Sequence, residues 1–240
     1  MEESALAGCP INSTADLRPG GTPPWQNKRW VIPRATGHFI GAMELILDLY
    51  DQPYDPDCPV VCFDECSRQL TGELHEPLPM KPGAAKREDY AYERRGTCNL
   101  FVTVEPLVGR REVVVTDQRT NQDFAERMRR LVDEDYPDVE RIIVVQDNLN
   151  THRLTTLWQA FEPAEALRIA KRLDFRFTPK HASWLNMAEC EIATLQKQCL
   201  ARRIPDKETM EKEVAAWVKQ RNDDQIHISW TFTVEKARDK

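Results

Sequence analysis

The run Ile142-Ile143-Val144-Val145-Gln146 constrains the fold more than any other stretch of the chain. Consecutive branched apolar side chains have no polar face to turn toward water. Such a segment is expected as a strand covered on both sides, near the centre of a sheet. A second apolar run, Val60-Val61-Cys62-Phe63, predicts another core strand over about 59–65. Each run meets an acid at its end, Asp147 in one case and Asp64 in the other.

The segments around these runs fill out an α/β pattern. Residues 36–49 carry Phe39, Met43, Ile46 and Leu47 close to helical spacing, continued by Tyr50 just beyond. Leu100–Val104 and Val113–Thr116 predict two strands joined by a turn at Gly109. Phe124–Tyr136 predicts a helix stopped by Pro137. Thr155–Phe161 and Pro163–Arg172 predict helical pieces, with Pro163 suited to a first helical position. Phe175–Phe177 is a short strand, and Leu185–Arg202 and Lys207–Arg221 are long helices. Residues 75–89, with Pro77, Pro79, Pro82 and Gly83, read as an exposed loop. The order predicts a mixed sheet flanked by helices, and acids near the ends of two strands and on one helix, Asp64, Asp147 and Glu189, fit a ribonuclease H-like arrangement.

Length and composition allow one large domain with a small appendage. The chain has 240 residues, 41% hydrophobic and 30% charged, as in a soluble globular protein. Residues 1–28, including Pro19-Gly20-Gly21-Thr22-Pro23-Pro24, read as a flexible lead-in. A helical linker over 29–58 and a main α/β domain over 59–240 complete the expected organisation. No apolar run is long enough for a membrane span, and Met1-Glu2-Glu3-Ser4 does not open a secretory signal. The seven cysteines lack a paired zinc spacing and are expected as reduced thiols in a cytoplasmic protein.

Three acids stand out: Asp64 and Asp147 on the two strands, and Glu189 on the helix that follows Ser183-Trp184-Leu185-Asn186. Carboxylates that converge from such positions hold divalent cations, and two cations can clamp the attacking and leaving oxygens of a phosphodiester displacement. Taken singly, each has a plainer reading: a strand-end acid, a turn former before Asn148, a solvated helix residue.

Together with their neighbours, these residues resemble a known family. Val61–Glu65, Gln146–His152 and Pro179-Lys180-His181-Ala182-Ser183-Trp184-Leu185-Asn186-Met187-Ala188-Glu189 resemble the DDE transposases of the IS630 group, within the Tc1/mariner superfamily. Tyr92, Arg95-Gly96-Thr97, Arg119-Thr120, Gln198-Cys199-Leu200 and Trp230-Thr231-Phe232-Thr233 extend the likeness from about Trp30 to Lys240. The resemblance implies a ribonuclease H-like catalytic domain performing cut-and-paste DNA transposition with Mg²⁺ or Mn²⁺, two ions being expected. It makes Asp64, Asp147 and Glu189 the catalytic, metal-holding acids. Forty-one residues separate Asp147 from Glu189, more than is usual in that superfamily, and the excess falls around 158–174. Family members begin with paired helix-turn-helix modules, whereas about 28 loop-like residues precede Trp30 here. The expected partners are DNA, as transposon ends and target, and a second copy in a homodimer.

Several polar residues join the candidate site as DNA contacts. His152 either contacts phosphate or the metal-bound water, or is a helix-capping or core histidine, and Lys180 and His181 lie just before the helix of Glu189, where phosphate is favoured. Trp184 either stacks on a base or belongs to the core. Asn186 completes the DNA-contact set. The net charge of −6 opposes DNA binding, but Arg168 to Lys207 holds nine Lys or Arg against four Asp or Glu. Glu65 and Glu191 are further acids, with surface roles expected for Glu65 and a surface or salt-bridge role for Glu191. On a helical wheel Leu185, Ala188, Ile192, Leu195 and Cys199 form an apolar stripe, and Glu189 and Glu191 flank it on opposite sides. Periodicity does not choose between them. The resemblance does, because Asn186 stands three residues before Glu189.

Overall fold

A computed structural model describes residues 36–87, 89–147 and 153–238. The lead-in over 1–28 lies outside the described residues, and so does His152.

Five strands form one mixed sheet in the order β3-β2-β1-β4-β5. Strands β1 (Val60–Glu73), β2 (Tyr92–Glu105) and β3 (Arg110–Thr116) make an antiparallel meander. Strand β4 (Ile142–Gln146) lies parallel to β1, and β5 (Leu173–Phe177) lies parallel to β4. The branched run thus sits between two strands with Ile142, Val144 and Val145 fully buried, as a strand without a polar face must. The sheet is ribonuclease H-like in its mixed topology and helical cover.

Between β2 and β3 the chain reverses at Gly109, whose φ is +74°. A side chain there would be strained by the backbone angle and would also meet Ile226 O at 2.7 Å, so the turn requires glycine. Strand β1 is longer than the apolar run predicts. Its second half, Cys66–Glu73, pairs with Tyr92–Leu100 as a ribbon, with a register shift between Gln69 and Thr71. The segment beyond it is exposed, as expected, and is pinned by backbone bridges between Leu78 and Arg87 and between Lys81 and Ala84.

Alternation along the strands sends side chains to two apolar layers. On one face Val61, Phe63, Phe101 and Val144 pack against α2 (Asn121–Arg130), α3 (Leu157–Ala160) and α4 (Pro163–Arg172). Helix α2 starts on a capping box in which Thr120 and Asp123 satisfy each other's backbone N–H groups. It ends in a wider turn over Leu131–Asp135, ahead of Pro137. Pro163 opens α4 as expected. Residues 158–174, where the sequence carries its excess, fold as parts of α3, α4 and β5.

On the other face, Leu100 and Val102 meet Ile192 and Leu195 of α5 (Met187–Gln198) and Val214 and Trp217 of α6 (Lys207–Asp223). Beside them Cys62 and Val145 pack with Leu185 and Ala188 and with Ile46 and Leu47 of α1 (Gly37–Asp51). Helix α1, capped by Thr36, therefore contributes to this core, and Trp230, Phe232 and Val234, which opens α7 (Val234–Arg238), pack against the same cluster. Each fully buried leucine or phenylalanine in these layers contributes about 1.5–3 kcal/mol relative to exposure. Among the described residues no helix is long and apolar enough to cross a membrane.

Candidate active site

The parallel pairing of β1 with β4 sets the two strand acids side by side. Val60 pairs with Ile143, Val61 with Val144 and Cys62 with Val145. Continuing that register by two residues brings Asp147 level with Asp64. Asp64 shares its face of the sheet with Cys62 and Cys66, the face covered by α5. Asp64 is buried and Asp147, just past the end of β4, is half-buried.

Asn186 links this pair to the helix that carries Glu189. Its side chain is wholly buried. Its Oδ1 accepts from Ala188 N at 3.2 Å, capping α5. Its Nδ2 donates to Phe63 O at 2.8 Å and to Asp64 Oδ2 at 3.4 Å. An N–H on one side and a carbonyl on the other fix which way the amide faces. The second oxygen of Asp64 accepts from the N–H of Glu65 at 2.8 Å. Glu189 is half-buried in the first turn of α5. Burial raises the Cys66 thiol to about 11, and the charges of Asp64 and Glu189 push it the same way.

The other acids part from this group. Glu65 points to the opposite face of the sheet, and its side chain, only 7% exposed, pairs with Arg119 at 3.1 Å. In place of the surface role expected for Glu65, its mostly covered carboxylate pairs with an Arg119 side chain that stays largely in solvent. Glu191 is also buried, and it is held by Arg111 at 2.7 Å and Arg221 at 2.9 Å. Of its two expected fates, the salt bridge is the one observed.

Among the DNA-contact candidates, Lys180, His181 and Trp184 are exposed, on the loop from β5 to α5. That loop borders the acids, because Thr178 N donates to Gln146 O at 2.9 Å, next to Asp147. His181 takes a left-handed backbone angle, φ 66°, and a short turn over Ser183–Leu185 separates it from α5. Trp184 packs edge-on against Phe232 with ring centroids 5.5 Å apart, and keeps part of its surface in water. Asn186 departs from the expectation. Sealed from solvent, with its amide committed to Phe63, Asp64 and Ala188, it has no surface to offer DNA.

The donor set suits a hard cation. Mg²⁺ takes oxygen ligands, uses one or two protein carboxylates and keeps waters or substrate oxygens for its remaining positions. Among the described residues no three His, Cys, Asp or Glu side chains form a ready cage for a metal ion. A cation that shares its coordination with phosphate does not require one. Asp64, Asp147 and Glu189 are the residues that could hold it. Burial pushes the Cys62 thiol up to about 12 and the Cys66 thiol up to about 11.

A sheet of this order with helices on both faces defines the ribonuclease H-like class. A family model described as DDE superfamily endonuclease matches residues 59–211, more than half of the chain, and the chain belongs to that family. Its fold is similar to that of the Mos1 mariner paired-end complex with Mn, at TM-score 0.56 and 15% identity, covering 83% of this chain and 60% of that one. The Mos1 strand transfer complex is similar at TM-score 0.56 and 15% identity, over 82% of this chain and 59% of that one. The catalytic domain of Mos1 mariner transposase is similar at TM-score 0.54 and 13% identity, over 82% of this chain and 87% of that one. The chain thus spans about three-fifths of the length of the Mos1 chains in the two complexes. No curated protein matches it by sequence.

Proposed function

We propose that this chain is the catalytic domain of a DDE transposase of the IS630 group, cutting DNA strands and joining them to a target in cut-and-paste transposition. One observation carries the reading. Asp64 lies on β1, the parallel register carried two residues past Cys62 and Val145 sets Asp147 level with it beyond the end of β4, and Asn186 ties Asp64 to the first turn of the helix of Glu189. The family to which the chain belongs supports it, as does the likeness of its fold to Mos1 complexes described as paired-end, strand-transfer and Mn-containing.

Asp64, Asp147 and Glu189 are then the metal-holding carboxylates for Mg²⁺ or Mn²⁺, with two ions expected. Such ions, when bound, neutralise charge on the attacking and leaving oxygens of the phosphodiester. The protein's own part is to orient and to bind. Glu65 N–H and Asn186 fix the Asp64 carboxylate before substrate arrives. Lys180 and His181 on the bordering loop meet backbone phosphates, and the exposed part of Trp184 stacks on an unpaired base. His152 belongs to the same proposed set and lies outside the described residues. Water serves as nucleophile for cutting, and a DNA 3′-hydroxyl for joining, so no covalent enzyme intermediate is required. A homodimer working in the bacterial cytoplasm is the proposed setting.

The test is nicking of supercoiled plasmid with Mg²⁺ or Mn²⁺. Wild-type protein is expected to nick DNA only with the ion present. Asp64→Ala, Asp147→Ala and Glu189→Gln are expected to remove that activity while the circular dichroism spectrum is unchanged. Equal nicking by wild type and all three variants would show a contaminant or another site.

A further inference from the structure

We propose that Asn186 is a positioning residue that sets the distance between the first and third acids. The inference rests on the metal-site reading above. One buried carboxamide makes three connections between two elements. Oδ1 caps α5 through Ala188 N, while Nδ2 holds the backbone of β1 at Phe63 O and reaches the carboxylate of Asp64. Glu189 N in turn donates to Asn186 O at 3.1 Å, so the residue that bears the third acid is bonded to the same asparagine.

The geometry makes this more than a helix cap. A cap needs only an acceptor oxygen, which serine or aspartate would supply equally well, and a surface cap would leave the amide nitrogen in water. Here the nitrogen is sealed away, and both of its acceptors lie on β1 at the candidate site. Groups that hold a ligand carboxylate in place fix its orientation before the cation arrives. Removing such a group typically weakens metal affinity or activity by about 10- to 100-fold. The exposed alternatives on the loop, Lys180 and His181, have no such bond to an acid among those described.

Asn186→Ser separates the two roles, because it keeps a capping oxygen and removes the amide N–H₂ that reaches Phe63 O and Asp64 on β1. Mn²⁺ binding, followed by electron paramagnetic resonance of free ion, is the first readout, and nicking at saturating Mn²⁺ the second. The expected result is a helix content like wild type, Mn²⁺ affinity at least about tenfold weaker, and a lower maximal rate. Asn186→Asp, which presents an oxygen to Phe63 O and Asp64, is expected to lose at least as much. Wild-type Mn²⁺ affinity and rate in Asn186→Ser would overturn the proposal and leave the metal-site reading intact. A wild-type protein that neither binds Mn²⁺ nor nicks DNA would overturn both. If the variants fail to fold, the wild type decides. With asparagine amides ¹⁵N-labelled, the Asn186 side-chain resonance is expected to exchange slowly with solvent and to shift along a Mg²⁺ titration. A fast-exchanging resonance that Mg²⁺ leaves unmoved would overturn the proposal.

Discussion

Arg111 Nε lies 2.7 Å from Glu191 Oε1, with 0% and 2% of the two side chains in contact with solvent. The contact joins β3 to α5, and Arg221 from α6 closes on the same carboxylate with Nε to Oε1 at 2.9 Å and Nη2 to Oε2 at 3.2 Å. Asn222 adds to the joint by accepting from Arg111 N at 3.0 Å, and Arg111 also donates to Ile226 O. Taking charges out of water costs several kcal/mol each, so this cluster persists because its members compensate one another.

Removing the one negative charge should therefore be costly. Glu191→Gln leaves Arg111 buried beside Arg221 with nothing to balance them. A loss of roughly 3 kcal/mol of stability is expected, as for other broken buried pairs. Urea denaturation measures it. Well below the unfolding midpoint the variant is expected to keep metal-dependent nicking, since Glu191 serves the joint and not the acids. A Glu191→Gln variant that is fully stable yet inactive would reverse the roles of Glu189 and Glu191.

Glu105 gives a pH dependence whose sign is fixed by burial. It is 4% exposed, and burial raises its carboxyl above the ordinary value of 4.5 despite Tyr136 and Arg110 beside it. The folded state thus binds this proton more tightly than the unfolded state. Stability from this group is highest below 4.5 and declines as pH rises through the raised folded value. Glu105→Gln can still accept from Tyr136 Oη, which now donates to Glu105 Oε2 at 2.7 Å, but it cannot ionise. Its stability relative to wild type is expected to grow between about pH 4 and about pH 7. Urea midpoints across that range are the measurement, and a difference that shrinks with rising pH would show that Glu105 is held ionised.

Lys180 tests the side from which DNA approaches. It is exposed on the loop that borders Asp147 through the bond from Thr178 N to Gln146 O. A net charge of −6 predicts weak binding that falls steeply with salt. Lys180→Ala should weaken binding to all sequences alike and reduce the slope of log affinity against log salt by about 0.9, one phosphate contact. Fluorescence anisotropy at several salt concentrations reads both. An unchanged slope would move the DNA path away from this loop.

How far the sequence foretold these features differs from one element to the next. The run Ile142–Gln146 was legible as a buried strand because apolar residues on both faces leave no other choice. The far half of β1 was not. Ser67, Arg68, Gln69 and Thr71 bury no continuous face there, and a backbone ladder to β2 holds the ribbon, which leaves no periodic trace. The opposite flanks of Glu189 and Glu191 followed from helical geometry, yet the partner of Glu191 lies on β3, which periodicity along α5 cannot reveal. The sequence sets Asn186 among the DNA contacts, three residues before Glu189. Its burial leaves no mark in the sequence, since a polar side chain before a helix reads alike whether it faces water or a neighbouring strand.

The central claim is that Asp64, Asp147 and Glu189 share a divalent cation. Anomalous diffraction from crystals grown or soaked with Mn²⁺ tests it most directly, because the ion reports its own position. The account predicts a peak between the carboxylates of Asp64 and Asp147 on the side facing the first turn of α5. Peaks confined to other acids, such as Asp133 and Glu134, with none at Asp64, would contradict it.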